Sequence, residues 1–201
     1  MHDAESDPPF EDPSAALAEE QRWVALVRAG DQAAFRALYD RYGDAMFAFA
    51  DSSLKSRTEA EDVVHDVFLG ILRQRASWHV EGPLRTYLFR AVHNRVATLR
   101  RHLRVELSSH EAIVRDAGDP TEWVHRGRTD DALGERELAA ALERAVESLS
   151  PRTQQAYRLV REHHLSYADA AAVMGISVHT VEIHLVRALK ALREQLAAWR
   201  E

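Results

Sequence analysis

Apolar residues recur at intervals of three and four along most of this chain, and no stretch of useful length alternates with period two. That spacing predicts helices and no sheet, an all-α fold. A helix capped by Asp31 carries Phe35, Leu38, Tyr39, Tyr42, Met46 and Phe49 on one face. The next is announced by Thr58 and Glu61, spaced as a capping box, with Glu59 and Asp62 suited to its positive end. Its stripe is Ala60, Val63, Val64, Val67, Phe68, Ile71 and Leu72, which leaves Asp62, Asp66 and Arg73 on the other face. After a loop from Ser77 to Gly82, Pro83 suits the first turn of a third helix, lined by Leu84, Leu88, Ala91, Val92 and Leu99. Periodicity resumes with Leu138, Leu142, Val146 and Leu149, and Ser150 with Pro151 opens a further helix that runs to about His163.

The stretch from Leu165 to Glu194 has the pattern of a helix-turn-helix. Ser166 caps its first helix, Gly175 supplies the left-handed stop, and Ser177 caps the second. On that second helix Val181, Leu185, Ala188 and Leu192 gather inward, while His179, Glu182, Ile183, Val186, Arg187 and Lys190 gather on the opposite side. A recognition helix sets its early residues against base edges while hydroxyls and later cations hold phosphates. The plainer reading is an amphipathic helix with a solvated face.

Charge changes the picture. The net charge of −6 is the wrong sign for a DNA binder until it is divided along the chain. Residues 1–21 hold seven acids and no Lys or Arg, and 106–135 are again acidic, whereas 22–105 and 136–201 are mildly basic. This partition predicts a disordered acidic tail (1–21), a first helical domain (22–105), a flexible acidic linker (106–135) and a second helical domain (136–201). Residues 84–104 contain six arginines and no acid. Arg85, Arg90, His93, Asn94, Arg100, Arg101 and Arg104 fall on one half of that helix, and Arg95 alone falls on the apolar side. Like charges in such density repel unless an anion lies nearby, and phosphate is the first suspect. The chain has no cysteine, which excludes disulfides and zinc-thiolate sites. No apolar run approaches a membrane span, so a soluble cytoplasmic protein without membrane insertion is expected.

Two helical modules in this order resemble bacterial RNA polymerase sigma factors of the extracytoplasmic-function group, over about residues 24–197. GDQAAFRALYDRY from Gly30, AEDVVHDVF from Ala60, YLFRAVHNRVATLRR from Tyr87 and the long segment from Ser148 are similar to successive parts of that family. Tyr87 where tryptophan is usual and His65 where glutamine is usual preserve size and polarity. Thr98 for aspartate and Gln154 for arginine put individual surface contacts in doubt.

The resemblance implies a promoter-specificity subunit without catalytic residues, metal or cofactor. Its partners would be core RNA polymerase, through the beta-prime clamp helices and the beta subunit, and promoter DNA; an anti-sigma factor is common in the group. Asp62, Asp66 and Phe68 would dock on polymerase, although Phe68 also fits the core stripe. Trp78, Arg85, Arg90, Asn94, Arg100, Arg101 and Arg104 would meet the minus-ten element. Trp78 has two roles open to it, stacking on an unpaired base or covering the core. Ser177, His179, Thr180, Glu182, Ile183, Arg187 and Lys190 would meet the minus-thirty-five element. Glu182 is the most informative of these, because a carboxylate accepts from cytosine N4 and repels phosphate; otherwise it pairs with Arg187 or lies in solvent beside Val186. The acidic linker would imitate nascent RNA near the polymerase channels.

Two other readings compete. A catalytic one rests on His65-Asp66 and needs His93 or His102 to complete a metal site, which chance pairing among eleven histidines explains as well. A helix-turn-helix regulator acting without polymerase leaves the six-arginine helix unexplained.

Overall fold

The computed structural model describes the backbone over 13–109 and 132–197, and side chains over 17–102 and 136–197. Among the described residues every regular element is helical. The chain divides into two compact units, Met1–Arg95 and Val96–Glu201.

In the first unit, α1 spans Pro13–Arg28, α2 Gln32–Leu54 and α3 Arg57–Arg73, with a single 3-10 turn at Arg75–Ser77, and α4, Leu84–Ser109, starts in this unit and continues past its boundary at Arg95. The core is where the stripes meet: Leu38, Met46 and Phe49 of α2, Ala60 and Val63 of α3, and Leu88, Phe89 and Val92 of α4 are at most 2% exposed. Asp31 caps α2 as expected, accepting from the N–H groups of Ala33 and Ala34 at 2.8 and 3.0 Å.

Three details differ from the sequence expectations. The helical chain begins at Pro13, within the segment expected to be a disordered tail, and its Val27 is 1% exposed. The acidic tail proper, 1–12, lies outside the described residues. The cap of α3 is Ser56, whose hydroxyl accepts from Glu59 N–H at 3.5 Å. Both pairs have the same spacing, so Ser56 and Glu59 mimic the signal at Thr58 and Glu61 two residues later. Glu61 instead pairs with Arg57 at 2.9 Å. Pro83 stands one position before the first helical residue, since its carbonyl accepts the 3.2 Å bond from Tyr87 N–H.

In the second unit, α5 spans Ala132–Glu147, α6 Pro151–Tyr157, α7 Tyr167–Met174 and α8 Val178–Gln195. The linker expected between the units lies largely outside the described residues. Its described flanks are helical, because α4 continues to Ser109 and α5 starts at Ala132. Ala141, Ala145 and Val146 form the buried face of α5, so the small residues turn inward and Leu138 and Leu142 remain exposed. Helix α6 opens with Pro151 at its first turn and continues into a π-helical turn at Arg158–Glu162. Arg158 there is 7% exposed and forks onto Glu143 of α5 and onto Glu162 at 2.8 Å. A charge this deep persists because both carboxylates pair with its two terminal nitrogens, while its Nε–H has no partner among the described residues.

Helices α7 and α8 turn by 103° about Gly175, within the range of a helix-turn-helix. Ser166 and Ser177 cap them, accepting from Asp169 and Thr180 N–H at 3.1 Å each. Gly175 has φ 64° and ψ 38°, and Ile176 N–H closes the turn on the Ala171 carbonyl at 3.1 Å. A Cβ at Gly175 would meet nothing within 4 Å, so its penalty is purely conformational. Gly175→Ala is therefore expected to destabilise the second unit by ~1–2 kcal/mol in chemical denaturation, and an unchanged midpoint would contradict this account.

Candidate nucleic-acid interface

The helix-turn-helix buries the face predicted for it. Val181, Leu185, Ala188 and Leu192 are 5% exposed or less, which turns Ser177, His179, Glu182, Ile183, Arg187 and Lys190 to solvent on α8. Thr180 is half-buried beside Ser177, their hydroxyls 2.7 Å apart. Glu182 does not reach for Arg187. Its carboxylate lies 3.4 Å from His179 Nδ1, an exposed contact that leaves it available to a base. Val186, at 68% exposure, adds an apolar point between Ile183 and Lys190.

His184, absent from the expected set, ties this helix to α6. Its Nδ1 is 3.1 Å from the Thr153 hydroxyl, which itself accepts from Ser150 at 2.9 Å. Partial burial, then Arg187 and Arg152, push the imidazole below its ordinary range. The spacing that would have revealed it is Val181, His184, Leu185, Ala188, which puts His184 at the edge of the buried stripe.

On α4 the six-arginine pattern becomes a surface. Arg90, Asn94, Arg100 and Arg101 are exposed, Arg85 is half-buried, and the side chain of Arg104 lies outside the described residues. Trp78 is 4% exposed, with its ring 6.1 Å from that of Tyr87, a placement that fits the covering role.

Sequence reading also missed what organises the start of α4. Proline at the cap position has no side-chain acceptor, and the acceptor comes from α1 instead: Glu20 Oε2 takes the Leu84 N–H at 2.7 Å. Its other oxygen, Oε1, accepts from the Tyr42 hydroxyl at 2.8 Å. Burial, then the hydrogen bond and charge of Glu20, push that hydroxyl far above its ordinary range, so it stays a donor. The Arg85 guanidinium lies 5.9 Å from the Tyr42 ring centre on the other side of this network.

The third surface is on α3. Asp62 and Asp66 are exposed, and Asp66 pairs with Arg95, the arginine that seemed misplaced on the apolar side of its helix. Phe68 is 3% exposed and packs against Phe35 and Tyr39, with ring centres 5.8 and 4.8 Å away. Its ring therefore supports this face from beneath. The apolar side chain actually presented beside the two aspartates is Leu69, 43% exposed, and the spacing 62, 66, 69 marks it in the sequence. Among the described residues no cluster of three or more His, Cys, Asp or Glu could hold a metal, so His65-Asp66 has no further ligands there. No single helix among them is long and apolar enough to cross a membrane.

A helical unit that ends in a basic helix, followed by a unit with a helix-turn-helix, defines a modular DNA-binding protein. Residues 38–105 match the model of sigma-70 region 2, and residues 139–192 match that of sigma-70 region 4. The sigma factor CnrH of Cupriavidus metallidurans is 31% identical over 186 residues, covering 87% of this chain and 93% of that protein. BldN of Streptomyces coelicolor, an ECF sigma factor, is 29% identical, covering 90% of this chain and 69% of that protein. Solved CnrH, in complex with the cytosolic domain of CnrY, superposes with a TM-score of 0.58 at 26% identity, covering 88% of this chain and 96% of that one. The chain belongs to the extracytoplasmic-function family of RNA polymerase sigma factors. It binds core RNA polymerase and directs it to promoters; its relatives are sigma factors, which are not enzymes.

Proposed function

We propose that three surfaces divide this work. Asp62, Asp66 and Leu69 of α3 dock on the clamp helices of the beta-prime subunit, with Phe68 as their support. Arg85, Arg90, Asn94, Arg100, Arg101 and Arg104 of α4 hold the minus-ten element, and the loop from Ser77 to Pro83 receives an unstacked base above Trp78. Ser177, His179, Thr180, Glu182, Ile183, Arg187 and Lys190 meet the minus-thirty-five element, and the second unit also meets the beta subunit. Residues 22–105, extended by α1 from Pro13, serve as the first domain and 136–201, extended by the start of α5, as the second, with the segment between them as linker and 1–12 as tail. Unstacking a base costs a few kcal/mol, so a pocket that rewards the flipped base joins recognition to melting. The chain supplies no chemistry and works in the cytoplasm, where polymerase and chromosome are. The capture of CnrH with the cytosolic domain of CnrY supports adding an anti-sigma factor to the partners of this chain.

The observation that carries the reading is the division of α8 into a fully buried apolar stripe and an exposed row of polar and charged residues. It is tested by adding the intact chain to core polymerase with genomic DNA and sequencing the transcript starts. The new starts are expected to share two upstream elements. A chain that binds DNA but fails to associate with core would favour the independent regulator instead.

A further inference from the structure

We infer that Glu20 is a positioning residue for promoter opening: from α1 it fixes the start of α4, and with it the Arg85 side chain and the loop proposed to receive the unstacked base. The inference rests on the minus-ten reading above and adds to it a residue outside the basic helix.

The first four N–H groups of any helix lack partners within it, and their satisfaction decides how firmly the first turn is held. At α4 the preceding residue is Pro83, which can neither cap with a side chain nor donate. The segment before it turns at Gly82, with φ 80°. Left alone, this junction would fray, and Arg85 lies on its first turn. Glu20 supplies the missing acceptor from 64 residues away, at 2.7 Å, with its charge at the positive end of the helix. Its second oxygen is held by Tyr42, which is 3% exposed, so the carboxylate is oriented from both sides. Tyr42 in turn presents its ring to Arg85. Glu20, Tyr42, Leu84 N–H and Arg85 thus form one connected group joining α1, α2 and α4.

This group contains none of the exposed residues of α3, so core docking should not depend on Glu20. That separation makes the role measurable. Glu20→Ala alone would strand the buried Tyr42 hydroxyl, so the substitution is made in a Tyr42→Phe background, which removes the hydroxyl and keeps the ring. Each variant is assembled with core polymerase, and its affinity is measured for the single non-template strand of a promoter found by the transcript sequencing above. Adding Glu20→Ala to Tyr42→Phe is expected to weaken strand binding about fivefold, the factor that loss of ~1 kcal/mol of helix capping produces. Core affinity should remain unchanged between the two. Arg85→Ala is measured alongside. If Arg85→Ala weakens strand binding and Glu20→Ala does not, the inference fails while the minus-ten reading stands. If neither does, both fall. If core affinity drops together with strand binding, Glu20 only holds the unit together and the positioning role is overturned.

Discussion

Changing Asp62 and Asp66 together to arginine should abolish association with core polymerase while leaving the first unit folded. Both carboxylates are exposed on α3, one turn apart, and neither touches the buried stripe of Ala60, Val63, Val64 and Ile71. The folded state loses little, because among the described residues the only ion pair broken is that of Asp66 with Arg95, whose side chains are 43% and 51% exposed. Exposed pairs contribute ~0–1 kcal/mol. A partner surface complementary to two carboxylates instead meets two cations, and juxtaposed like charges at an interface cost several kcal/mol. The expected loss in core affinity is therefore at least about a hundredfold, read by titrating core polymerase against labelled variant, with thermal unfolding as the control for folding. Core binding equal to that of the parent chain would remove α3 from the docking surface. The same measurement on Leu69→Ala should give a smaller loss, because it removes apolar contact without introducing repulsion.

How much of this was legible before the structure depends on the range over which each signal acts. Helix identity and buried faces are local. A period of 3.6 and a cap within three residues fixed the stripe of α8, the caps Asp31, Ser166 and Ser177, and the stop at Gly175. Where two local signals overlapped, the reading slipped: Ser56–Glu59 and Thr58–Glu61 have equal spacing, and only backbone geometry chooses the first. On α5 the leucines outrank the alanines in hydropathy, but close packing against α8 selects the small residues.

What sequence alone could not supply is pairing between distant segments. Arg95 looked like an error on an apolar face until α3 placed Asp66 beside it. Glu20 looked like one acid among seven in a tail, yet it serves a helix that begins 64 residues later. Phe68 and Trp78 belong to the same class. Aromatic side chains near a functional surface fit both core and contact, and only the fold shows that these two are buried, at 3% and 4% exposure.

Removing the Glu182 carboxylate should change which promoters are read more than how tightly DNA is held. Glu182→Ala keeps an exposed helical position in a residue with the highest helix propensity, so α8 itself is not weakened. The contact it gives up within the protein is the 3.4 Å approach to His179, at the long limit of a hydrogen bond and open to solvent. On DNA the two effects of the carboxylate act in opposite directions. As the proposed base reader it would accept from cytosine N4 at the preferred base pair, and it would repel phosphate on every sequence. Its loss should therefore weaken binding to the preferred minus-thirty-five duplex and slightly strengthen binding to others, narrowing the discrimination at one base pair by ~1–3 kcal/mol. A panel of duplexes substituted singly across the element measures this directly. Arg187→Ala provides the contrast, since losing a phosphate contact should weaken all sequences alike and reduce the salt slope by about one. If Glu182→Ala behaves as Arg187→Ala does, with uniform weakening and no narrowing at any one position, Glu182 is not a base reader, and discrimination would rest with His179 and Ile183 beside it.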